Sequence, residues 1–92
     1  MRIDWSPRAV ADLKSISEYI EQDRTLETAN RVARAIFDTV ETLQSLPNRG
    51  RLGRVADTRE LVVASLPYVV IYRTFAERVE ILNIVHAAQR WP

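Results

Sequence analysis

Residues 67–73 constrain the fold of this chain more than any other stretch. They read Pro-Tyr-Val-Val-Ile-Tyr-Arg, with three β-branched residues in succession between two tyrosines. A run of this kind, without alternating polar residues, is typical of a strand that is covered on both faces. Residues 67–73 are therefore predicted to form a central strand.

Two further strand patterns flank this segment, at residues 61–64 and 79–85. The links between the three patterns are too short for anything except hairpins, which predicts an antiparallel three-stranded meander. Tyr68 and Tyr72 have the same parity on the central strand, so they face the same way. Packing in the core is the expected role of both, with a role on the exposed face as the alternative.

The N-terminal half supplies the layer that covers the meander. Residues 2–5 are a short strand candidate, and Ser6 followed by Pro7 predicts the start of a helix that runs to about Gln22. Apolar residues recur in this helix at helical spacing. They are Val10, Leu13, Ile16 and Ile20, with Ala9 and Tyr19 beside them.

A second helix is predicted to start after Thr25, with Glu27 in its first turn, where the helix dipole favours an acid. Its apolar stripe ends near Leu46. The turn between the helices is short, so they should be antiparallel neighbours that share one apolar face. The sequence thus predicts an α+β fold in which a short N-terminal strand and a two-helix hairpin accompany an antiparallel meander.

The totals restrict the class of protein. A chain of 92 residues without cysteine is expected to be a single domain, residues 1–92, held by an apolar core without disulfides or thiolate metal sites. No segment is long and apolar enough to cross a bilayer, and no secretory signal is recognisable, so a cytoplasmic protein without membrane contact is expected. No cofactor, metal or small-molecule substrate is indicated.

The net charge of +1 argues against bulk electrostatic binding of nucleic acid. The second half is nevertheless basic, and twelve of the thirteen basic residues in the chain are arginines. This preference for arginine is compatible with acidic binding partners, and a high-GC codon bias is an alternative explanation. Residues 47–54 hold both glycines and Arg49, Arg51 and Arg54. This segment is predicted to be a turn-rich loop rather than a helix or strand, with anion binding and partner contact as alternatives.

Six other side chains are candidates for function. His86, the only histidine, is either a general base or a hydrogen-bonded structural group, and it has no companions for a metal site. Arg59 and Arg73 lie on neighbouring predicted strands and either form one positive patch or pair with Glu60 and Glu80. The C-terminal residues Gln89, Arg90 and Trp91 have a composition favoured at protein interfaces, although Trp91 could also fold back onto the core.

The order of these elements and the amino-acid sequence of several segments resemble those of the RelE/ParE family of type II toxins almost from end to end. The similarity is carried by Trp5-Ser6-Pro7 with Ala11-Asp12-Leu13, the loop at 47–54, Thr58-Arg59-Glu60-Leu61-Val62-Val63, the strand at 67–73, and Val79-Glu80-Ile81-Leu82 running into His86 and Gln89-Arg90-Trp91. The resemblance implies a bacterial toxin that a cognate antitoxin neutralises, with DNA contacted only through the antitoxin complex.

The family contains two activities on one fold. Members that cut mRNA on the ribosome need basic side chains on the sheet to position and stabilise the scissile phosphate. The resemblance places Glu60, Val62, Val69 and Gln89 at the positions where such members typically carry those cations. This chain therefore resembles the ParE branch, whose members poison DNA gyrase, and it is expected not to be an enzyme.

Two alternatives stay open at this stage. A ribosome-dependent endoribonuclease would use Arg59, Arg73, His86 and Arg90 as its catalytic residues. A toxin relic would retain only antitoxin binding. Under the gyrase hypothesis there are no catalytic residues, and the residues expected to contact partners are Arg49, Arg51, Arg54, Arg59, Arg73, Gln89, Arg90 and Trp91.

Overall fold

The computed structural model describes residues 1–89 and 91–92. Two helices pack on a sheet of five strands, which confirms the predicted α+β class. The elements are β1 (Arg2–Trp5), α1 (Pro7–Asp23), α2 (Leu26–Glu41), a 3₁₀ turn (Thr42–Gln44), β2 (Arg51–Leu52), β3 (Arg59–Val62), β4 (Tyr68–Thr74) and β5 (Arg78–His86).

The strand order in the sheet is β1-β5-β4-β3-β2. The antiparallel meander of β3, β4 and β5 is as predicted, and β1 extends it by pairing in parallel with β5. The prediction that residues 47–54 contain no strand is wrong, because Arg51 and Leu52 pair with Glu60 and Arg59. This two-residue strand is defined by its pairing with β3 and not by a run of strand-forming residues, so its own composition gives little sign of it.

The central strand β4 is covered on both faces, as predicted. Tyr68 through Tyr72 are all buried. Alternate residues of the strand belong to two separate clusters: Tyr68, Val70 and Tyr72 pack in the main core under the helices, while Val69 and Ile71 lie in a smaller cluster on the other side. We call the sheet face away from the helices the open face.

Helix α1 begins where the sequence indicated. The Ser6 Oγ accepts a hydrogen bond from the Ala9 backbone N–H at 3.0 Å and donates one to the Leu82 carbonyl oxygen at 3.0 Å. The cap thus also ties the helix to β5. Ala9 and Ile20 are buried, but Val10 is 54% exposed, which corrects its predicted place in the buried stripe. Ala9, one position earlier, takes the place of Val10 because a small residue allows the helix to approach the sheet closely.

The double role of Ser6 leads to a stability prediction. We expect Ser6→Ala to lower the free energy of unfolding by about 1–2 kcal/mol, because the helix loses its cap and the Leu82 carbonyl loses a donor. Thr25 provides the control, since its side chain caps α2 at Thr28 but makes no hydrogen bond to the sheet among the described residues. Urea unfolding should therefore show a smaller loss for Thr25→Ala, and equal losses would contradict the bridging role of Ser6.

Helix α2 has the predicted apolar stripe. Ala29, Ile36, Val40 and Leu43 are buried in the main core, the last of them in the 3₁₀ turn that continues the helix. Phe37 lies at the margin, where its ring stacks on Trp5 with centroids 6.5 Å apart. No helix that the structure describes has the length and apolar character needed to cross a membrane.

Candidate partner-binding site

The loop at residues 47–54 is fastened to the sheet by Tyr72. The Tyr72 hydroxyl accepts a hydrogen bond from the Gly50 N–H at 2.8 Å and donates one to the Pro47 carbonyl oxygen at 2.8 Å. Burial raises the pKa of Tyr72, and the Gly50 N–H only partly opposes this, so the hydroxyl stays protonated and able to donate. A Cβ added at Gly50 would lie 2.8 Å from the Tyr72 ring, so this close approach requires glycine.

Arg59 fastens the same loop from β3. Its Nη1 donates to the Gly50 carbonyl oxygen at 2.7 Å and to the Asn48 carbonyl oxygen at 3.3 Å. No described carboxylate lies within ion-pair distance of Arg59, so its charge is balanced only by carbonyl dipoles. Pairing of Arg59 with Glu60, one of the alternatives that the sequence left open, does not occur, because neighbours on one strand point to opposite faces.

Glu60 instead binds two of the three loop arginines, Arg51 and Arg54. Its carboxylate accepts a hydrogen bond from Arg51 Nη2 at 3.0 Å and one from the Arg54 backbone N–H at 3.2 Å. The residue is only 7% exposed. Burial acts to raise the pKa of Glu60, but the Arg54 N–H and the Arg51 guanidinium outweigh it and hold the pKa below its ordinary value.

This lowered pKa predicts a pH dependence of stability. A carboxyl whose pKa is depressed by folding stabilises the protein above its ordinary pKa of 4.5, and the contribution is lost as the pH falls through the folded value. We therefore expect Glu60→Gln to be clearly less stable than the unmodified chain at pH 7. In urea unfolding the difference should shrink as the pH falls below about 4.5. A difference that stays constant with pH would contradict this assignment.

A second group of charges lies at the other end of the open face. Arg73 Nε lies 2.7 Å from Glu80 Oε1, so of the two alternatives for Arg73 the structure has the internal pair with Glu80. Arg78 lies 3.6 Å from Asp4 and 4.0 Å from Glu80, and Arg2 also pairs with Asp4. Arg59 lies opposite Tyr72 in the sheet, so its side chain and that of Arg73 leave on opposite faces. They do not form one positive patch on the open face.

His86 has a local structural role in this structure. Its Nδ1 accepts a hydrogen bond from the Ala88 N–H at 3.1 Å, and its ring meets Tyr68 edge-on with centroids 5.7 Å apart. The Gln89 side chain closes the same turn, because its Oε1 accepts a hydrogen bond from the His86 backbone N–H at 3.3 Å. Nδ1 is thus occupied as an acceptor, which favours the structural interpretation over a general base. Arg90, the fourth residue of the ribonuclease hypothesis, lies outside the described residues.

Trp91 folds back onto the sheet. It packs against the small cluster of Val69, Ile71 and Val85 on the open face, and its Nε1 donates to Asn83 Oδ1 at 3.3 Å. The sequence left open whether Trp91 contacts a partner or folds back onto the core, and in the free chain it folds back. Contact of Trp91 with a partner remains a prediction.

The centre of the open face is apolar or acid-bearing. Val62 lies directly opposite Val69 in the pairing of β3 and β4, and Glu60 lies opposite Ile71. The described arginines of this face form two separate groups, each accompanied by carboxylates. Such a surface can bind a protein segment, but it does not direct several cations at one phosphate. The described residues contain no group of three or more metal ligands that could hold an ion.

Sequence analysis missed the roles of three residues, Glu60 on the open face and Leu52 and Phe75 at one end of the sheet. Glu60 was noted as a partner for Arg59 and as an acid where ribonuclease members carry a cation, whereas the structure shows it bonded to Arg51 and Arg54. Leu52 and Phe75, both exposed, were not singled out. An aromatic residue in a hairpin turn was the available signal for Phe75, since turns seldom need one for their backbone geometry.

The chain thus has a two-helix layer on a five-stranded sheet, with an open face whose centre is apolar and whose described arginines are accompanied by carboxylates. Comparisons with known proteins assign this fold to a family. Residues 3–91 match the family model described as ParE toxin of type II toxin-antitoxin system, parDE. The chain therefore belongs to the ParE family of toxins of type II toxin–antitoxin systems.

Individual relatives agree with this assignment. The chain is 45% identical over 91 residues to a Sinorhizobium fredii protein named "Putative toxin Y4kP", covering 99% of this chain and 93% of that protein. It is 41% identical over 88 residues to toxin RelE2 of Caulobacter vibrioides, covering 96% and 97% respectively. Among solved structures, a chain of the chromosomal ParDE TA system from P. aeruginosa is similar with a TM-score of 0.88 and 27% identity, covering 94% of this chain and 95% of that one.

Proposed function

We propose that this toxin inhibits DNA gyrase in the cytoplasm by binding it, without catalysing a reaction of its own, and that a cognate antitoxin neutralises it. The observation that carries the proposal is the pairing of Val62 with Val69 at the centre of the open face, beside a buried Glu60. Hydrolysis or transfer at a phosphate needs cations aimed at the developing charge. An apolar centre with a paired carboxylate offers binding surface instead.

Neutralisation by an antitoxin is supported by family membership and by the ParDE system in which the structural neighbour occurs. The basic second half of the chain would suit an acidic segment that becomes ordered on binding. Contacts are proposed for Arg49, Arg51 and Arg54 on the loop, Arg59 and Arg73 on the strands, and Gln89, Arg90 and Trp91 at the C-terminus. DNA would be contacted only through the antitoxin complex.

A ribosome-dependent mRNA endonuclease is the second candidate, favoured by the name RelE2 of one relative. Of its four required residues, Arg59 is bonded to loop carbonyls and Arg73 is paired with Glu80. His86 is occupied at Nδ1. These contacts leave the ribonuclease set without a free, converging group among the described residues, so gyrase inhibition is the better-supported function.

Expression in a bacterial host provides the test. Without antitoxin, we expect growth to stop together with induction of a DNA-damage reporter, and co-expression of the antitoxin should restore growth. Codon-specific mRNA cleavage without DNA damage, abolished by Arg73→Ala, would contradict the proposal and favour the ribonuclease. Absence of toxicity alongside a tight antitoxin complex would identify a relic that retains only binding.

A further inference from the structure

We infer that a groove beside the β4–β5 hairpin is a docking site for an acidic, apolar-anchored segment of the antitoxin. This hairpin groove is a depression at one end of the sheet, lined by Leu52, Asp57, Arg59, Arg73, Thr74 and Phe75. The inference rests on the antitoxin partnership proposed above and assigns part of the binding to one surface.

Two exposed apolar side chains stand at this groove. Leu52 is 78% exposed, more than any other large apolar side chain that the structure describes, and Phe75 is 40% exposed. Neither is needed for the core, since both lie outside its two clusters of packed residues. Apolar side chains grouped around a depression with polar rims are typical of a protein interaction site.

Phe75 is held in place before any partner arrives. The guanidinium carbon of Arg78 lies 4.0 Å from the centre of the Phe75 ring, and that of Arg73 lies 5.3 Å from it. Both arginines are themselves paired with Glu80. A ring fixed in this way loses little conformational entropy on binding, which favours its use as an anchor.

The charges around the groove select the chemistry of the occupant. Arg59 and Arg73 line it, and Arg59 has no carboxylate partner among the described residues. Against these, Asp57 is the acid that lines the groove. An acidic segment that carries a leucine- or phenylalanine-like side chain is complementary to this pattern, whereas a basic segment would be repelled.

The test titrates the antitoxin encoded beside the toxin gene against purified variants of the full chain. Leu52→Ala and Phe75→Ala should each weaken the complex by about tenfold or more, as expected for central apolar anchors. Leu26→Ala is the matched control, because Leu26 is 57% exposed at the start of α2, away from the groove, and its loss should change affinity less than about twofold.

Asp57→Asn tests the charge argument in the opposite direction. Asp57 has φ 65°, a conformation that asparagine adopts readily, so the fold should be kept while the groove loses its acid. Affinity for the acidic antitoxin should then increase about threefold, within the range of a surface charge interaction. Circular dichroism and thermal melts of each variant separate loss of folding from loss of binding.

Unchanged affinity in both Leu52→Ala and Phe75→Ala would overturn the docking site, as would an equal loss in Leu26→Ala. A variant that binds antitoxin normally but no longer inhibits gyrase would overturn it too, since the groove would then serve the target. Failure of the unmodified toxin to inhibit gyrase is a different result. It would refute the proposed target, while the affinity comparison would still decide the docking site.

Discussion

Tyr72→Ala is expected to lower the free energy of unfolding by about 3–5 kcal/mol, the range for removing a fully buried aromatic side chain. Tyr72 is 0% exposed and lies at the centre of the sheet, packed in the main core. Its hydroxyl also joins Gly50 and Pro47, so the variant should release the arginine loop as well. Urea unfolding gives the stability, and hydrogen exchange at Gly50 reports on the loop.

Tyr72→Phe separates these two effects. It keeps the ring in the core but leaves the buried Gly50 N–H without an acceptor, which should cost about 1–3 kcal/mol. Exchange of the Gly50 amide should accelerate beyond what the loss of global stability explains. If Tyr72→Phe unfolds and exchanges like the unmodified chain, the hydroxyl does not hold the loop.

Trp91→Ala is expected to lower the free energy of unfolding by about 2 kcal/mol, because a large, partly buried ring leaves the open face. The variant should also expose Val69, Ile71 and Val85, and bind a hydrophobic dye more strongly. The two effects have one cause, since the tail is the cover of this small cluster. Circular dichroism in urea measures the first effect and dye fluorescence the second.

Trp91→Phe is the control for packing. It retains an aromatic cover but removes the hydrogen bond from Nε1 to Asn83, which at 3.3 Å is long and should contribute little. Dye binding close to that of the unmodified chain is therefore expected. Strong dye binding by Trp91→Phe, or none by Trp91→Ala, would show that Trp91 does not cover the sheet in solution.

The elements that the sequence predicted correctly are those specified by local signals. Ser6 followed by Pro7 marks the start of α1, which begins at Pro7. Tyr68–Tyr72 are buried, as their unbroken series of apolar and aromatic side chains predicts. The helical hairpin follows from apolar spacing alone, apart from Val10. Wherever neighbours in the chain determine the outcome, the prediction and the structure agree.

The misses concern contacts that depend on how strands pair and how the tail returns, which local composition does not determine. Strand β2 exists because Arg51 and Leu52 meet β3, and Glu60 pairs with Arg51 because the same register places them opposite each other. A register cannot be read from composition, and an irregularity after Ile71 shifts the pairing of β4 with β5 further. The cover provided by Trp91 likewise depends on how a tail returns across the sheet.

The same limitation affected the candidate site. The resemblance indicated that ribonuclease members carry cations at positions 62 and 69, where this chain has valines. The structure places the two valines opposite each other on the open face. The contacts of the remaining arginines could not be predicted from the sequence. Arg51 forms an ion pair with Glu60 and Arg73 with Glu80, whereas Arg59 donates hydrogen bonds to loop carbonyl oxygens. All three arginines therefore brace the fold of the free chain.

Supercoiling of relaxed plasmid by purified gyrase tests the central claim most directly. Excess toxin is expected to abolish supercoiling and leave cleaved DNA, and prior mixing with the antitoxin should restore the reaction. Full supercoiling in the presence of excess folded toxin would contradict the account.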